Sequence, residues 1–228
     1  VSSSGFKPGG KGGGDTIWQI STGYFGCRDI NGNFSPKKFE SKAKSNQIKM
    51  IEIKISQGAK PGHGGMLLAP KVTEEIAKTR GIEVGKDCIS PARHKEFSTP
   101  SELLKFVQKL KKLSGNKPVG IKMCIGHPWE FISIVKTMVL EKKYIDFITV
   151  DGSEGGTGAA PLTFADHVSL PFKIGFTRVY DIFQKMGFAQ PNARLLTKHL
   201  VDAELLGYAT HGLLRLPIYF LSIDVWQR

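Results

Sequence analysis

The sequence predicts an α/β fold in which parallel strands form a barrel-like sheet that is covered by helices. Short apolar runs alternate with helical patterns from about residue 15 to residue 187, and this rhythm is typical of a parallel sheet with helical crossovers. The strands also have one apolar face and one face of small or charged residues. Central strands of an open parallel sheet are usually apolar on both faces, so this pattern favours a barrel with a functional end.

The individual elements follow from local patterns. We expect strands at Thr16–Ile20, Lys49–Ile55, Pro118–Cys124 and Ile145–Asp151, and helices at Thr73–Arg80, Thr99–Leu113 and Pro128–Glu141. The second helix has the clearest start, because Thr99 can cap it, Pro100 suits its first position and Glu102 completes a capping box. Its apolar residues recur at intervals of three and four and predict a buried stripe made of Leu103, Phe106, Val107, Leu110 and Leu113.

Two lysines lie on the face of the strands that should point into the barrel. Glu52 and Lys54 alternate with isoleucines in the second strand, and Lys122 shares a face with Gly120 in the third. An ammonium group that is buried without a partner is costly or loses its proton. Each lysine therefore either pairs with a carboxylate such as Glu52 or neutralises a bound anion.

Charge and composition exclude several classes of protein. The chain has 32 Lys and Arg against 20 Asp and Glu, a net charge of +12, so its surface should attract anions. No basic arm, zinc finger or RNA-binding aromatic signature is present, and many lysines fall on one helix face. We therefore do not expect nucleic acid as a partner, although a nucleic-acid binder is the third hypothesis that the charge leaves open.

Cysteine spacing and hydropathy bear on metals and membranes. Cys27, Cys88 and Cys124 are far apart and form no CxxC pair, which argues against a zinc site and a disulfide framework. No apolar run reaches the roughly 20 residues of a membrane span, and nothing resembles a signal peptide. We expect no metal, no membrane partner and a cytoplasmic location.

Two glycine-rich loops directly follow predicted strands. They are Ser56–Gly65 and Gly152–Ala160, and they belong to the strand ends where barrels place their ligands. Glycine there permits close approach of backbone N–H groups to an anion or a ring, or simply a tight turn. Within or beside the second loop, Asp151 and Glu154 could orient the loop or act as acids.

Several stretches resemble a known family. They are Ile53–Gly65, Ile89–Pro91 with Phe97 and Ser98, Glu154–Leu162, Ser21–Arg28 and Gly126–Glu130. Together they resemble the FMN-binding (synthase) domain of the glutamate synthase large subunit. The last two stretches are more similar still to the stand-alone glutamate synthase-like FMN-binding proteins. The resemblance covers residues from about 15 to 186.

The resemblance implies a fold, a reaction and partners. The fold is a (β/α)8 TIM-barrel type, here incomplete, with the first and last barrel strands missing or divergent. The reaction is the reductive amination of 2-oxoglutarate to glutamate, in which FMN transfers hydride to 2-iminoglutarate as part of ammonia assimilation. A glutaminase or an electron-donor subunit is the implied protein partner. The family's iron–sulfur cluster is not supported, because the last cysteine is Cys124.

The resemblance also implies site residues. The substrate-binding residues are Gln57, Lys60 and Arg80, and an Arg fork with a Lys charge suits a dicarboxylate. Lys54 and Lys122 match lysines near substrate and flavin. The cofactor-binding loop matches Gly155, Gly156, Thr157 and Gly158.

The pattern predicts three parts of the chain. Residues 1–14 read as a flexible Gly/Ser leader, residues 15–187 as the partial FMN-binding barrel, and residues 188–228 as a divergent tail that is helical or not native-like. A barrel that lacks strands has open edges, so we expect this chain alone to bind FMN poorly and to be inactive. The alternative function is a non-catalytic barrel remnant that acts as a binding module.

Overall fold

The computed structural model describes residues 14–156 and 160–188. In chain order the elements are β1 (Thr16–Ile20), α1 (Pro36–Ala43), β2 (Ile48–Lys54), β3 (Met66–Leu67), α2 (Glu74–Arg80), β4 (Cys88–Ile89), α3 (Pro100–Ser114), β5 (Val119–Met123), α4 (Pro128–Glu141), β6 (Ile148–Val150), α5 (Leu162–His167) and α6 (Phe172–Lys185). The predicted leader and tail lie almost wholly outside the described residues.

A parallel sheet forms the centre of the fold. Its four strands pair in the order β1-β2-β5-β6, and each neighbouring pair is parallel. All four predicted strands are present: β1 has the predicted ends, β2 is shifted by one residue, and β5 and β6 are shorter than predicted. The α/β prediction is confirmed. Within the described ranges the strands form an open row, which is compatible with part of a barrel. The eight-stranded closure stays a prediction.

Helices pack along one face of this sheet. The helices α1, α3, α4 and α6 follow one another as neighbours, and they enclose the apolar core together with the strand residues that point toward them. The largest fully buried members of this core include Trp18, Phe39, Ile51, Ile53, Leu104, Leu110 and Phe131. The predicted isoleucine face of β2 is therefore the helix-facing side.

The start of α3 shows why its prediction held. The Thr99 side chain accepts a hydrogen bond from the Glu102 backbone N–H at 3.3 Å, and the Glu102 carboxylate accepts one from the Thr99 N–H at 3.1 Å. These two bonds form the predicted capping box. Because this signal uses only residues within three positions of one another, the sequence alone reveals it.

The opposite face of the sheet is polar. Gln19 and Glu52 are 5% and 2% exposed. One Glu52 oxygen accepts from the Gln19 amide at 2.5 Å, and the other accepts from the Thr149 hydroxyl at 2.6 Å. A buried carboxylate needs such donors to offset the loss of water. The predicted small-or-charged strand face is thus a hydrogen-bonded interior layer.

Several elements were not predicted from the sequence. The two-residue strands β3 and β4 pair antiparallel, and such short strands are too brief for periodicity to detect. The helices α1, α5 and α6 were not predicted either. No helix in the described ranges is both long and apolar enough to cross a membrane.

Candidate functional site

A cavity of about 230 Å³ opens where the parallel strands end. Its walls come from the ends of β1 and β2, the loop after β2, helix α2 and the segment after β4. Lys54, Gln57, Lys60 and Arg80, all of which the sequence indicated, line it together. Residues without a predicted role also line it, among them Ser21, Thr22, Phe25, Cys88, Ser90 and Ala92.

The charge of this cavity has one sign. Lys54, Lys60 and Arg80 contribute cationic groups, and no Asp or Glu occurs among the described residues that line it. Lys60 is only 7% exposed. Cations that converge in a partly desolvated space favour an anion there, because the attraction between charges strengthens as water is removed.

The Lys54 and Lys122 side chains belong to neighbouring strands in direct register. The pKa of Lys54 lies below its usual value, first because of burial and then because of the Lys122 charge. Lys122 does not line the cavity; its Nζ lies 3.5 Å from the Asp151 Oδ2. The carboxylate that this lysine contacts is thus Asp151, whereas Glu52 accepts its hydrogen bonds from Gln19 and Thr149.

The two glycine-rich loops pack against each other. The Gly58 N–H donates to the Asp151 carboxylate at 2.8 Å, and the Ala59 N–H donates to the Gly155 carbonyl at 2.9 Å. A Cβ on Gly58 would overlap the Gly152 carbonyl. The contact between these loops therefore requires glycine, and Asp151 orients them.

The loop after β6 also supports the cavity from outside. Gly156 has a φ of +83°, and a Cβ there would overlap the side chain of Gln57. Glu154 accepts a hydrogen bond from the Phe172 N–H at 3.0 Å at the start of α6. Gly155 and Gly156 do not themselves line the cavity, and the predicted residues Thr157 and Gly158 lie outside the described residues.

Arg80 closes one side of the cavity at the end of α2. Its guanidinium carbon lies 4.8 Å from the centre of the Phe25 ring, and its Nη1 lies 3.8 Å from the Cys88 sulfur. Its buried Nε has no hydrogen-bond partner among the described residues. A buried donor that lacks a partner is costly, and the Arg80 side chain, which lines the cavity, is a candidate contact for an anionic ligand.

Sequence reasoning did not assign roles to the wall opposite β2. The family resemblance includes the stretches Ser21–Arg28 and Ile89–Pro91. It does not indicate that Phe25 and Ser90, which belong to them, line the cavity. No group of three or more His, Cys, Asp or Glu residues that could hold a metal ion occurs in the part of the chain that is described.

Comparison with known proteins places this geometry in a family. A family model described as the conserved region in glutamate synthase matches residues 6–196. The glutamate synthase large subunit-like protein YerD of Bacillus subtilis is 46% identical over 177 residues, which are 78% of this chain and 33% of YerD.

Two further relatives match a shorter part of the chain. The archaeal glutamate synthase (NADPH) of Methanocaldococcus jannaschii is 41% identical over 138 residues, 60% of this chain and 26% of that protein. The glutamate synthase (NADPH) large chain of Azospirillum brasilense is 34% identical over 139 residues, 60% of this chain and 9% of its own length. This chain thus spans a third or less of these relatives. Because the family model matches most of the chain, the protein belongs to the glutamate synthase family.

Proposed function

We propose that this chain carries a synthase site for the flavin-dependent reductive amination of 2-oxoglutarate to glutamate. The observation that supports it most is the convergence of Lys54, Lys60 and Arg80 on one cavity whose described lining contains no carboxylate. Relatives named as glutamate synthases add to this support. The four parallel strands β1, β2, β5 and β6 would then be part of a (β/α)8 barrel.

The cavity suits a small dicarboxylate in charge and size. Arg80 offers a planar fork for one carboxylate, and Lys60 offers a compact charge for the other. A volume of about 230 Å³ falls below the several hundred Å³ of pockets that enclose drug-sized ligands.

The donor set at the strand ends also fits a flavin. Lys54 and Lys122 lie opposite each other on neighbouring strands, and positive charge near a flavin favours its anionic reduced form. FMN, when bound, would supply the hydride. Lys54 lines the cavity and would supply a proton from its Nζ to the hydroxyl that leaves as water when the imine forms. Its lowered pKa makes it a stronger acid than an ordinary lysine.

Calorimetric titration of the full chain with 2-oxoglutarate, in the presence of FMN, tests the proposal. We expect Lys60→Ala and Arg80→Ala each to raise the Kd roughly tenfold to a hundredfold, because each loses a charged hydrogen bond of about 1.5–3 kcal/mol. Lys105→Ala removes an exposed cation on α3 and should leave the Kd unchanged. A monocarboxylate, 2-oxobutyrate, should bind more weakly than 2-oxoglutarate.

Two outcomes would count against this function. If 2-oxoglutarate does not bind to the unsubstituted chain, the site is not a synthase site. If it binds but both cavity variants retain the original Kd, binding occurs elsewhere, and the non-catalytic binding module becomes the better explanation.

A further inference from the structure

Behind the cavity, two buried side chains form a hydrogen-bonded relay. His94 Nε2 lies 2.8 Å from the Lys54 carbonyl oxygen, and His94 Nδ1 lies 3.1 Å from the Tyr24 hydroxyl. Tyr24 and His94 are 0% and 5% exposed. The carbonyl can only accept, so Nε2 carries the imidazole proton, and Nδ1 must accept from the Tyr24 hydroxyl.

The Tyr24 hydroxyl has further partners that complete the relay. Its oxygen accepts from the backbone N–H groups of Lys95 at 3.2 Å and Glu96 at 3.3 Å. Every polar atom of the two side chains is therefore used. A fully satisfied buried network of this kind rigidifies the groups that it joins.

The backbone at Tyr24 supports a positioning role. Its φ is +48°, a left-handed conformation that bulky residues rarely adopt. Such a conformation persists only where its surroundings hold it, and the Tyr24 ring contacts those of Phe34 and His94 at 5.7 Å and 5.4 Å. The next residue, Phe25, lines the cavity and carries the Arg80 guanidinium over its ring.

The other end of the relay reaches the cavity as well. His94 is uncharged at neutral pH, because burial lowers its pKa to about 4. Its ring stacks on that of Phe97, with 4.8 Å between the ring centres. The segment just before it, from Ser90 to Ala92, lines the cavity. The Lys54 carbonyl oxygen accepts the hydrogen bond from His94, and the Lys54 side chain lines the cavity.

We infer that Tyr24 and His94 are positioning residues of the synthase site. Through one relay they connect three walls: the β2 end with Lys54, the Phe25 wall that carries Arg80, and the segment after β4. Neither residue lines the cavity that we assign to 2-oxoglutarate. This inference rests on the proposed function for its ligand, but the relay itself can be tested without one.

The matched variants are Tyr24→Phe and Tyr180→Phe. The first keeps the ring and removes the hydroxyl that donates to His94. The second removes a hydroxyl that accepts from Gln184 at 2.6 Å within α6. Tyr24→Phe should raise the Kd for 2-oxoglutarate about fivefold to tenfold and shift the Lys54 carbonyl carbon resonance. Tyr180→Phe should do neither, although it too removes a tyrosine hydroxyl that takes part in a hydrogen bond.

The imidazole nitrogens of the unsubstituted chain give an independent measurement. Nitrogen NMR at pH 7 should show His94 protonated on Nε2 and unprotonated on Nδ1, and the opposite tautomer would overturn the relay even if Tyr24→Phe did not fold. If the unsubstituted chain does not bind 2-oxoglutarate, the proposed function fails, and the relay is judged by the tautomer and the Lys54 resonance. If the chain binds it and Tyr24→Phe changes neither affinity nor resonance, the positioning role is wrong.

Discussion

Acidification should destabilise this protein through the protonation of His94. Burial lowers the pKa of this imidazole from its ordinary value of 6.5 to about 4, and the neighbouring Glu96 and the Lys54 carbonyl offset only part of that shift. Between pH 4 and pH 6.5, His94 therefore binds a proton in the unfolded chain but not in the folded one. The stability contributed by neutral His94 is fully present above pH 6.5 and is lost as the pH falls toward 4.

The size of the effect follows from the shift. One pKa unit corresponds to about 1.36 kcal/mol, so the free energy of unfolding should fall by about 2 kcal/mol between pH 6.5 and pH 5 from this residue. The whole shift amounts to about 3 kcal/mol. The carboxylates of Asp29, Glu102 and Glu141 have lowered pKa values, so the stability that they contribute is lost mainly at lower pH.

Urea unfolding between pH 7 and pH 4 measures this loss, with tryptophan fluorescence, to which the buried Trp18 contributes, as the signal. The matched variant is His94→Gln, which cannot titrate. It should be less stable than the original chain at pH 7, because it disrupts the relay, but its stability should change less between pH 6.5 and pH 5. If both proteins lose the same free energy in that window, His94 is not held neutral and this reasoning is refuted.

Two further predictions concern the loops and helices around the site. Gly156→Ala should lower the unfolding midpoint and weaken 2-oxoglutarate binding, because its φ is +83° and a Cβ there would overlap the Gln57 side chain. The control is Gly85→Ala, which also has a positive φ but has nothing within 4 Å of an added Cβ. It should show only the backbone cost of about 1–2 kcal/mol. Equal losses in the two variants would contradict the loop packing. Thr99→Ala should reduce the free energy of urea unfolding by about 1 kcal/mol, since it removes the N-cap of α3; no change would mean that the cap is not needed.

Much of the site could be predicted from the sequence, because three of its residues lie at the end of one strand or in the loop that follows. Lys54 is the last residue of β2 and Gln57 and Lys60 follow it closely, and the strand's alternation already indicates which residues leave the apolar face. Arg80 belongs to a separate helix, and only the resemblance suggested it. Its position against Phe25 depends on how α2 packs, which no local pattern specifies.

No sequence signal linked the two residues of the relay behind the cavity. Tyr24 and His94 are 70 positions apart, and a lone histidine gives no indication of its partners. In the same way, Glu52 looked like a counter-charge for lysine, yet Gln19 and Thr149 from two other strands satisfy it. Hydrogen-bond partners between strands depend on sheet order, which the sequence does not state.

The sequence by itself determined the four parallel strands, the helices α2, α3 and α4, the α/β class and the family resemblance. Capping boxes and apolar periodicity depend on residues a few positions apart, so they can be recognised without knowing which distant segments come into contact. Only the tertiary structure decided that Lys54 faces the cavity while Lys122 contacts Asp151, and that Tyr24 and His94 brace the wall. Those arrangements arise from strand register and from contacts between loops far apart in the chain, where burial rather than local propensity selects the partners.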